Sequence, residues 1–274
     1  MTMFALEAPR AVPPPMRCVP RQAWRNGSAS TGERTLAEEV PVAFSYDGVV
    51  HAVLMATPDD LEDFAVGFSY TEGIVTAPAE IAELDVVGVT DGIVLRIWLT
   101  GDRSDALAAR RRRFLGPAGC GMCGLESLAE ANRAIPMASG ELQVSRKQIA
   151  AAVGALPTRQ QLNMQTRAVH AAAFWRPDQD LVLREDVGRH NALDKLAGAL
   201  LRAVEPAALG IIVLSSRISI ELVQKAGMIG ATVIVGVSAP TGLAVRTAEA
   251  IGLTLVGVAR EDGFEVFTHP ERIT

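Results

Sequence analysis

The second half of the chain alternates apolar runs of strand length with amphipathic segments of helix length. The apolar runs are "LGIIVLSS", "ATVIVGVSAP" and "LTLVGVARED", and the segments between them, "SIELVQKAGMIG" and "TGLAVRTAEAIG", repeat apolar residues at helical spacing. This alternation is typical of βαβ units that build a parallel sheet. A hairpin, "HAAAFW" with "LVLRED", and a helix precede the first unit. Residues 143–274 are therefore predicted to form an α/β domain.

The first half predicts a smaller α+β domain over residues 31–115. Two hairpins are indicated by strand-like runs around the dipeptides Asp47-Gly48 and Asp91-Gly92, which suit a type I′ turn. Between the hairpins, Thr57 is a predicted N-cap, because a proline suited to the first helical position follows it and apolar residues then recur at helical spacing. The chain is thus predicted to be of the α/β class, α+β overall.

Two stretches fall outside these domains. Residues 1–30 hold prolines, arginines and serines but no apolar segment of signal-peptide length, and they are predicted to form a flexible tail. Residues 116–142 are predicted to form a loop and a linker helix, because four glycines and a proline between Gly116 and Gly124 resist regular structure. That loop carries Cys120 and Cys123.

Composition argues against several classes of protein. With three cysteines in 274 residues the chain has no disulfide framework, which indicates a reducing compartment, and we expect the cytoplasm. Nowhere do about eighteen apolar residues run together without a charge, so no membrane span is expected. A net charge of −5 argues against general nucleic-acid binding, although Arg110 to Arg113 form a local basic run.

The Cys120 and Cys123 pair has four interpretations. A structural zinc site needs four ligands, yet Cys18 lies in the predicted tail and the four histidines show no paired spacing. A thioredoxin-like dithiol would open a helix directly after a strand, whereas here a helix and a glycine-rich loop precede the pair. Two incidental buried thiols are the third interpretation, and the glycines that flank each cysteine argue for exposure instead.

Sulfur carriage is the fourth interpretation. A thiolate can accept a sulfane sulfur as a persulfide, and a neighbouring thiol can relay or release it. The run Arg110 to Arg113 suits this chemistry, because nearby positive charge favours the thiolate, which is the nucleophile. The same arginines would be equally ordinary on the solvated face of a helix.

Polar residues follow the strands of the predicted parallel sheet, where ligands of such sheets bind. Backbone amides at two helix starts, three hydroxyls and two guanidiniums could hold a phosphate-bearing ligand there. Ser238 and Thr241 would serve equally well as helix caps. No GxGxxG or Walker A motif is present. The side chains concerned are Ser215, Arg217, Ser238, Thr241 and Arg260.

A further polar cluster, "REDVGRHN", stands at the start of another helix. We expect some of its charged side chains to pair with one another. A lone histidine is usually a hydrogen-bonded structural residue, so His190 is expected to be structural, whereas His170, which enters the strand "HAAAF", becomes a ligand-binding residue in the light of the resemblance below.

Five motifs together resemble the formate dehydrogenase accessory sulfurtransferase family, FdhD: "ATPDDLEDFAVGF", "GCGMCG", "REDVGRHNALDK", "SAP" with "LAV", and "TLVGVAR". The resemblance covers Glu39 to Ile273. It implies a cytoplasmic homodimer that takes sulfur from a cysteine desulfurase. It further implies that the sulfur enters the molybdenum (or tungsten) bis(molybdopterin guanine dinucleotide) cofactor, which formate dehydrogenase needs, and that the protein has no intrinsic metal.

Residue roles also follow from the resemblance. Cys120 matches the family's persulfide-forming cysteine, and Cys123 matches its partner in the loop. One strand end matches the segment associated with the guanine dinucleotide, namely Val258, Ala259, Arg260, Glu261, Asp262 and Gly263. The predicted cofactor-binding set adds Ser238, Thr241, Ser215, Arg217 and His170 to that segment.

The family's second domain resembles the cytidine deaminase fold. Deaminase chemistry needs His-x-Glu followed by Pro-Cys-x-x-Cys around zinc, but alanines follow His170 and the cysteine pair precedes it, so the fold is expected without its metal. The chain also departs from the family pattern. Arg167, Ala168 and Ser216 replace glycines, and Ala118 replaces a threonine. Lost glycines could change how closely the backbone approaches a phosphate.

Two rival functions are left open by the sequence. A cofactor-binding chaperone would deliver the cofactor without sulfur chemistry, and its cysteines would be structural only. A dithiol oxidoreductase would instead form a readily reversible disulfide between Cys120 and Cys123.

Overall fold

The computed structural model describes residues 10–105, 107 and 135–274. The strands are β1 Met16–Arg25, β2 Ser28–Ala37, β3 Val40–Tyr46, β4 Val49–Ala56, β5 Ile81–Val89, β6 Gly92–Leu99, β7 His170–Trp175, β8 Val182–Asp186, β9 Ile211–Leu214, β10 Val233–Gly236, β11 Thr254–Arg260 and β12 Gly263–Val266. The helices are α1 Leu61–Thr71, α2 Arg146–Arg159, α3 Gln161–Thr166, α4 Arg189–Arg202, α5 Ile220–Met228 and α6 Gly242–Ala250.

The N-terminal sheet has four strands in the order β4-β3-β6-β5. β3 and β4 pair antiparallel across Asp47 and Gly48, whose φ angles of 51° and 78° confirm the predicted type I′ turn. The apolar face of α1 packs on this sheet, with the ring of Phe44 against those of Phe64 and Phe68. This sheet and helix are the smaller α+β unit of the predicted fold class.

β1 and β2 form a separate two-stranded ribbon. The predicted flexible tail over residues 1–30 is therefore wrong for residues 16–30, which pair in regular register from Met16↔Ala37 to Arg25↔Ser28. The turn is Asn26-Gly27, with φ angles of 51° and 77°. Most side chains of the ribbon are exposed, so neither strand shows the apolar alternation by which a strand is recognised in a sequence.

The C-terminal sheet has six strands in the order β12-β11-β10-β9-β7-β8. β9, β10 and β11 are parallel, while β7, β8 and β12 run antiparallel to their neighbours. α2 packs on one face of this sheet, and α4, α5 and α6 pack on the other. The predicted α/β domain with parallel strands is thus confirmed, and its helices flank the strand ends on both faces.

α1 and α4 cross with their backbones in contact, which joins the two halves of the described chain. A Cβ atom at Gly67 of α1 would lie 1.7 Å from the carbonyl oxygen of Asp194, and one at Gly198 of α4 would lie 1.8 Å from that of Asp63. Only glycine fits at either position, because these distances are far shorter than a van der Waals contact.

Charged side chains surround this crossing. The buried carboxylate of Asp63 accepts hydrogen bonds from Arg184 Nη2 at 2.7 Å and from Arg202 Nη1 at 2.6 Å. Lys225 Nζ lies 2.9 Å from Asp194 Oδ1 and 2.6 Å from Glu72 Oε1. Each buried charge is therefore paired across the two halves or within them, as burial requires.

α1 begins at Leu61, and the prediction that Thr57 caps it is wrong. Asp60 occupies the N-cap position with a φ of 51° and makes no side-chain capping bond. Thr57 instead bonds to the turn that follows β8: its N–H donates to Asp186 Oδ2 at 3.0 Å, and its Oγ1 accepts from the Val187 N–H at 3.2 Å. Thr57 therefore forms a tertiary contact instead of the helix cap that the local sequence pattern predicts.

Candidate functional site

The ends of the parallel strands meet at one edge of the C-terminal sheet. β9 ends at Leu214, β10 at Gly236 and β11 at Arg260. β7 begins at the same edge, because its residue Ala172 pairs with Leu214 of the antiparallel strand β9. The structure thereby brings most of the predicted ligand residues to this edge, namely His170, Ser215, Arg217, Ser238, Thr241 and Arg260.

The first pocket at this edge, here called the helix-start pocket, has a volume of about 270 Å³ and lies where α5 and α6 begin. The loops before the two helices are joined, because the Thr241 N–H donates to the Ile218 carbonyl at 2.9 Å. Thr241 also caps α6, as its Oγ1 accepts from the Ala244 N–H at 3.2 Å. The pocket is lined by Arg189, Arg217, Ser219, Ile220, Glu221, Thr241 and Leu243.

Arg189 is a pocket residue that the sequence analysis left without a ligand role. It is the first residue of α4, where a positive charge opposes the helix dipole. Its Nε is buried and has no hydrogen-bond partner among the described residues. An anion in the pocket would satisfy this donor and offset the unfavourable dipole. The signal in the sequence was an arginine at a helix start, where acidic residues are usual.

The second pocket, here called the α2 pocket, has a volume of about 310 Å³ and lies between α2 and the ends of the parallel strands. It opens on the opposite face of the sheet from the helix-start pocket, because α2 packs on that face. Four members of the predicted cofactor set line it, Ser215, Ala259, Arg260 and Glu261. The other lining residues are Ala150, Val153, Gly154, Leu156, Pro157, Gln160 and Val237.

A strained residue lies at the end of β11. Val258 has a φ of 51°, in the left-handed region that a β-branched residue rarely adopts, and the register of β11 and β12 shifts between Gly257 and Arg260. The Val258 N–H donates to the Ser238 carbonyl at 3.2 Å, which ties two predicted site segments together. Such strain is often stored at functional sites, and the three residues that follow, Ala259, Arg260 and Glu261, line the α2 pocket.

The histidines near the edge add no positive charge at neutral pH. Burial lowers the pKa of His170, and the positive charge of Arg189 lowers it further, while Asp186 acts in the opposite direction. Burial, followed by Arg189, lowers the pKa of His190 to about 4, and its Nε2 lies 3.4 Å from Ser219 Oγ. The positive charge of the helix-start pocket therefore comes from its two arginines.

The positions at which this chain replaces a family glycine differ in backbone conformation and in contacts. Arg167 follows the last residue of α3 with a φ of 57°, in the left-handed region where glycine is favoured. The glycine that the family resemblance leads us to expect would adopt this conformation without strain. Ser216 is buried, and its Oγ donates to the Arg217 carbonyl at 3.1 Å.

Several predicted residues line neither of the two pockets. They are His170, Ser238, Val258, Asp262 and Gly263, of which Asp262 lies in the turn between β11 and β12 and Gly263 begins β12. Cys120, Cys123 and the run Arg110 to Arg113 lie outside the described residues. Across residues 10–105, 107 and 135–274, no three His, Cys, Asp or Glu side chains are grouped to hold a metal ion. Over those same residues, no helix combines the length and apolar character that a membrane crossing requires.

Comparison with known proteins places the chain in a family. The model of the FdhD/NarQ family matches residues 37–274. This chain belongs to the FdhD/NarQ family. Its membership confirms the resemblance on which the residue roles were based.

The FdhD/NarQ relatives cover nearly the whole chain. A protein of Agrobacterium fabrum, named sulfur carrier protein FdhD, is 51% identical over 94% of this chain and 96% of its own length. A protein of the same name from Cupriavidus necator is 44% identical over 96% of this chain and 92% of its own length. The crystal structure of a candidate formate dehydrogenase accessory protein from Desulfotalea psychrophila matches 95% of this chain and 100% of its own, with a TM-score of 0.74 at 24% identity, which supports the fold.

Proposed function

We propose that this FdhD/NarQ protein carries sulfur as a persulfide on Cys120, from a cysteine desulfurase to the molybdenum or tungsten bis(molybdopterin guanine dinucleotide) cofactor that formate dehydrogenase needs. The observation that carries the proposal is the close similarity, 51% and 44% identity over nearly full length, to two proteins named sulfur carrier protein FdhD. The presence of the Cys120 and Cys123 pair in this chain supports it.

The first chemical step needs only a nucleophilic thiolate. The Cys120 thiolate attacks the outer sulfur of the donor's persulfide, the sulfur–sulfur bond of the donor breaks, and the donor cysteine leaves as a thiolate. One sulfur–sulfur bond forms while another breaks, so no oxidant or reductant is consumed. Cys123 assists the onward transfer. The run Arg110 to Arg113 favours the thiolate form and steers the cysteines towards an acidic partner surface.

The strand-end edge is the proposed binding region for the cofactor, which is the substrate of the transfer. The helix-start pocket suits a diphosphate, because it combines Arg189 and Arg217 with the N-termini of α5 and α6. The hydroxyl of Thr241 adds a donor at the same place, whereas that of Ser219 is hydrogen-bonded to the carboxylate of Glu221, which also lines the pocket and leaves the two arginines in excess. The cationic pocket is therefore where we propose that phosphate groups of a guanine dinucleotide bind.

The proposal includes the setting in which the protein works. We propose a homodimer in the cytoplasm, with a cysteine desulfurase as sulfur donor and formate dehydrogenase as the enzyme served. The low cysteine content, three in 274 residues, supports it, because it indicates a reducing compartment in which a persulfide carrier keeps its thiols free.

The test is intact-mass spectrometry after incubation with a cysteine desulfurase and cysteine. We expect the wild-type chain to gain one sulfur atom and Cys120→Ala to gain none. Cys18→Ala is the matched control, because Cys18 is exposed and its hydrogen bond to Glu33 raises the pKa of its thiol, which makes it a poor nucleophile; this variant should keep the adduct. An unmodified wild-type chain would favour the cofactor-binding chaperone instead.

A further inference from the structure

We infer that the β1–β2 ribbon is a docking arm for a second copy of this chain. The face of the ribbon that carries Trp24 packs on the exposed face of β4 in the other copy, and the arm of that copy docks in return. The inference rests on the proposed function for the homodimer, and it names the surfaces that hold the two copies together. The FdhD/NarQ model begins at residue 37, so it does not include the ribbon.

The two faces of the ribbon differ in charge. Residues that pair across an antiparallel ribbon lie on the same face, and successive residues of a strand lie on opposite faces. The register therefore places all four arginines of the ribbon on one face, Arg17, Arg21, Arg25 and Arg34. The opposite face, here called the tryptophan face, consists of the even-numbered residues of β1 and the odd-numbered residues of β2. Its one charged side chain is Glu33, so the ribbon is amphipathic.

Most of the tryptophan face is exposed. Trp24, next to the tip, is 73% exposed, and only the base of the face, at Met16, Thr35 and Ala37, is partly buried. Among the described residues, β1 and β2 form strand pairs only with each other. A two-stranded ribbon is marginally stable in water unless one of its faces is covered. The ribbon therefore needs a cover that is always available, and a second copy is present wherever the chain is.

Strand β4 offers an exposed apolar face of its own. It lies at the edge of the N-terminal sheet, and no described strand pairs with its outer side. Because Ala52 and Leu54 pack towards the core beneath α1, Val53 and Met55 point to the opposite face, where they are 57% and 48% exposed. An exposed apolar edge strand is a surface that proteins usually cover. Trp24 and this face of β4 thus form complementary halves of one apolar contact.

The size of the contact favours a symmetric pair of chains. One face of a ribbon with two strands of ten residues measures roughly 34 Å by 10 Å, from the rise per residue and the strand spacing. One docked arm buries about 700 Å² counted over both surfaces, which is less than the roughly 1,200 Å² of a stable interface. Two reciprocal arms bury about 1,400 Å². Twofold symmetry supplies the second arm, whereas docking on an unrelated protein supplies only one.

The first experiment is sedimentation equilibrium of the full chain. We expect a wild-type dimer, and we expect Trp24→Ser and Val53→Lys each to raise its Kd by roughly tenfold or more, because each change removes apolar burial from both reciprocal contacts. Arg21→Glu, on the opposite face of the same strand, should leave the Kd unchanged. Leu209→Lys is the control for Val53→Lys, since Leu209 is also about half exposed but lies in the C-terminal domain.

The second experiment mixes the two weakened variants. In a mixed dimer, the arm of the Val53→Lys chain meets the β4 face of the Trp24→Ser chain, and this contact is intact. The other contact carries both changes, but a contact that has lost Trp24 has little more to lose at Val53. The mixture should therefore dimerise more tightly than either variant alone. Full dimerisation of Trp24→Ser would indicate that β4 packs on β4, and full dimerisation of Val53→Lys would indicate that ribbon packs on ribbon; either result overturns the inference.

The outcomes separate the arm from the proposed function. A monomeric wild-type chain would overturn both the arm and the homodimer, whereas a wild-type dimer that neither variant weakens would overturn the arm alone. Loss of the dimer in Arg21→Glu but not in Trp24→Ser would place the interface on the arginine face and also overturn the inference. If Val53→Lys does not fold, Met55→Lys places the charge on the same face of β4. The sulfur adduct, measured on the same samples, reports sulfur transfer independently of dimerisation.

Discussion

Lys195 Nζ lies 2.7 Å from Asp186 Oδ2, and both side chains are fully buried. Each partner also holds the segment before α1: the lysine donates to the Thr57 carbonyl at 2.9 Å, and Asp186 accepts from the Thr57 N–H at 3.0 Å. Two of the motifs that resemble the family, "ATPDD" and "REDVGRHNALDK", are thus bound to each other in the interior. Within this contact, Lys195 and Asp186 hold the two segments together and do not face either described pocket.

Loss of this buried pair should be costly. We expect Lys195→Met to lower the free energy of unfolding by about 3–5 kcal/mol, because Asp186 would keep a buried charge without its partner. Urea titration measures the change. Lys147→Met, the same substitution at an exposed lysine of α2, should cost less than about 0.5 kcal/mol. Equal effects at the two positions would contradict the role of the pair.

The close crossing of α1 and α4 should leave no room for even one additional methyl group. We expect Gly67→Ala to destabilise the protein by about 1–3 kcal/mol, because the new Cβ would meet the Asp194 carbonyl oxygen at 1.7 Å and force the helices apart. The matched control is Gly154→Ala in α2, where a Cβ meets nothing within 4 Å and should stabilise the helix by about 0.5–1 kcal/mol. Thermal unfolding of both variants measures the two changes in stability, which should have opposite signs. Stabilisation by Gly67→Ala would contradict the close crossing of the two helices.

Restoring the family glycine at position 167 should stabilise the protein. Arg167 is exposed with a φ of 57°, so Arg167→Gly removes left-handed strain worth about 1–2 kcal/mol without loss of packing. The same change at the exposed Arg246, in the middle of α6, should instead cost about 1 kcal/mol. Chemical denaturation of the two variants would contradict this account if both were destabilised.

His190 should titrate far below an ordinary histidine. Its pKa is about 4 in the folded chain against a reference value of 6.5, because of burial and the charge of Arg189. The unfolded chain therefore takes up this proton first as the pH falls, so His190 lowers stability progressively from pH 6.5 towards pH 4 and has no such effect above that range. NMR of the imidazole resonances gives the midpoint, and His190→Gln identifies the signal. A midpoint near 6.5 would contradict the buried environment.

The helix-start pocket should bind inorganic pyrophosphate through its arginines. We expect Arg189→Gln and Arg217→Gln each to weaken binding by roughly tenfold or more, because each removes a charge-assisted donor. Raising the salt concentration should weaken binding by the wild-type chain. Arg146→Gln, an exposed arginine that lines neither described pocket, is the control for calorimetry. Equal binding by all three variants would place the anion elsewhere.

Local patterns predicted the elements that depend on local interactions. The β3–β4 hairpin followed from Asp47-Gly48, and the parallel strands followed from their alternation with amphipathic helices. The start of α1 was missed because Thr57 bonds to Asp186, more than a hundred residues away in the chain. The β1–β2 ribbon was missed because it buries no apolar face, although Asn26-Gly27 was a valid turn signal.

The pocket residues also divide into those that local sequence patterns predict and those that depend on contacts between distant segments. Arg217 and Thr241 were predictable, because residues that follow parallel strands meet at one edge. Gln160 was not, because what distinguishes it is a buried nitrogen without a partner among the described residues, which arises only when distant segments pack around it. Arg189 has such a nitrogen too, but its sequence signal was only its place at a helix start.

The backbone contact between Gly67 and Gly198 implies that the two halves would recognise each other without a peptide link. Polypeptides spanning 1–107 and 135–274, produced separately and mixed, should reassemble into one particle, since the surfaces that meet carry their own glycines and their own charges.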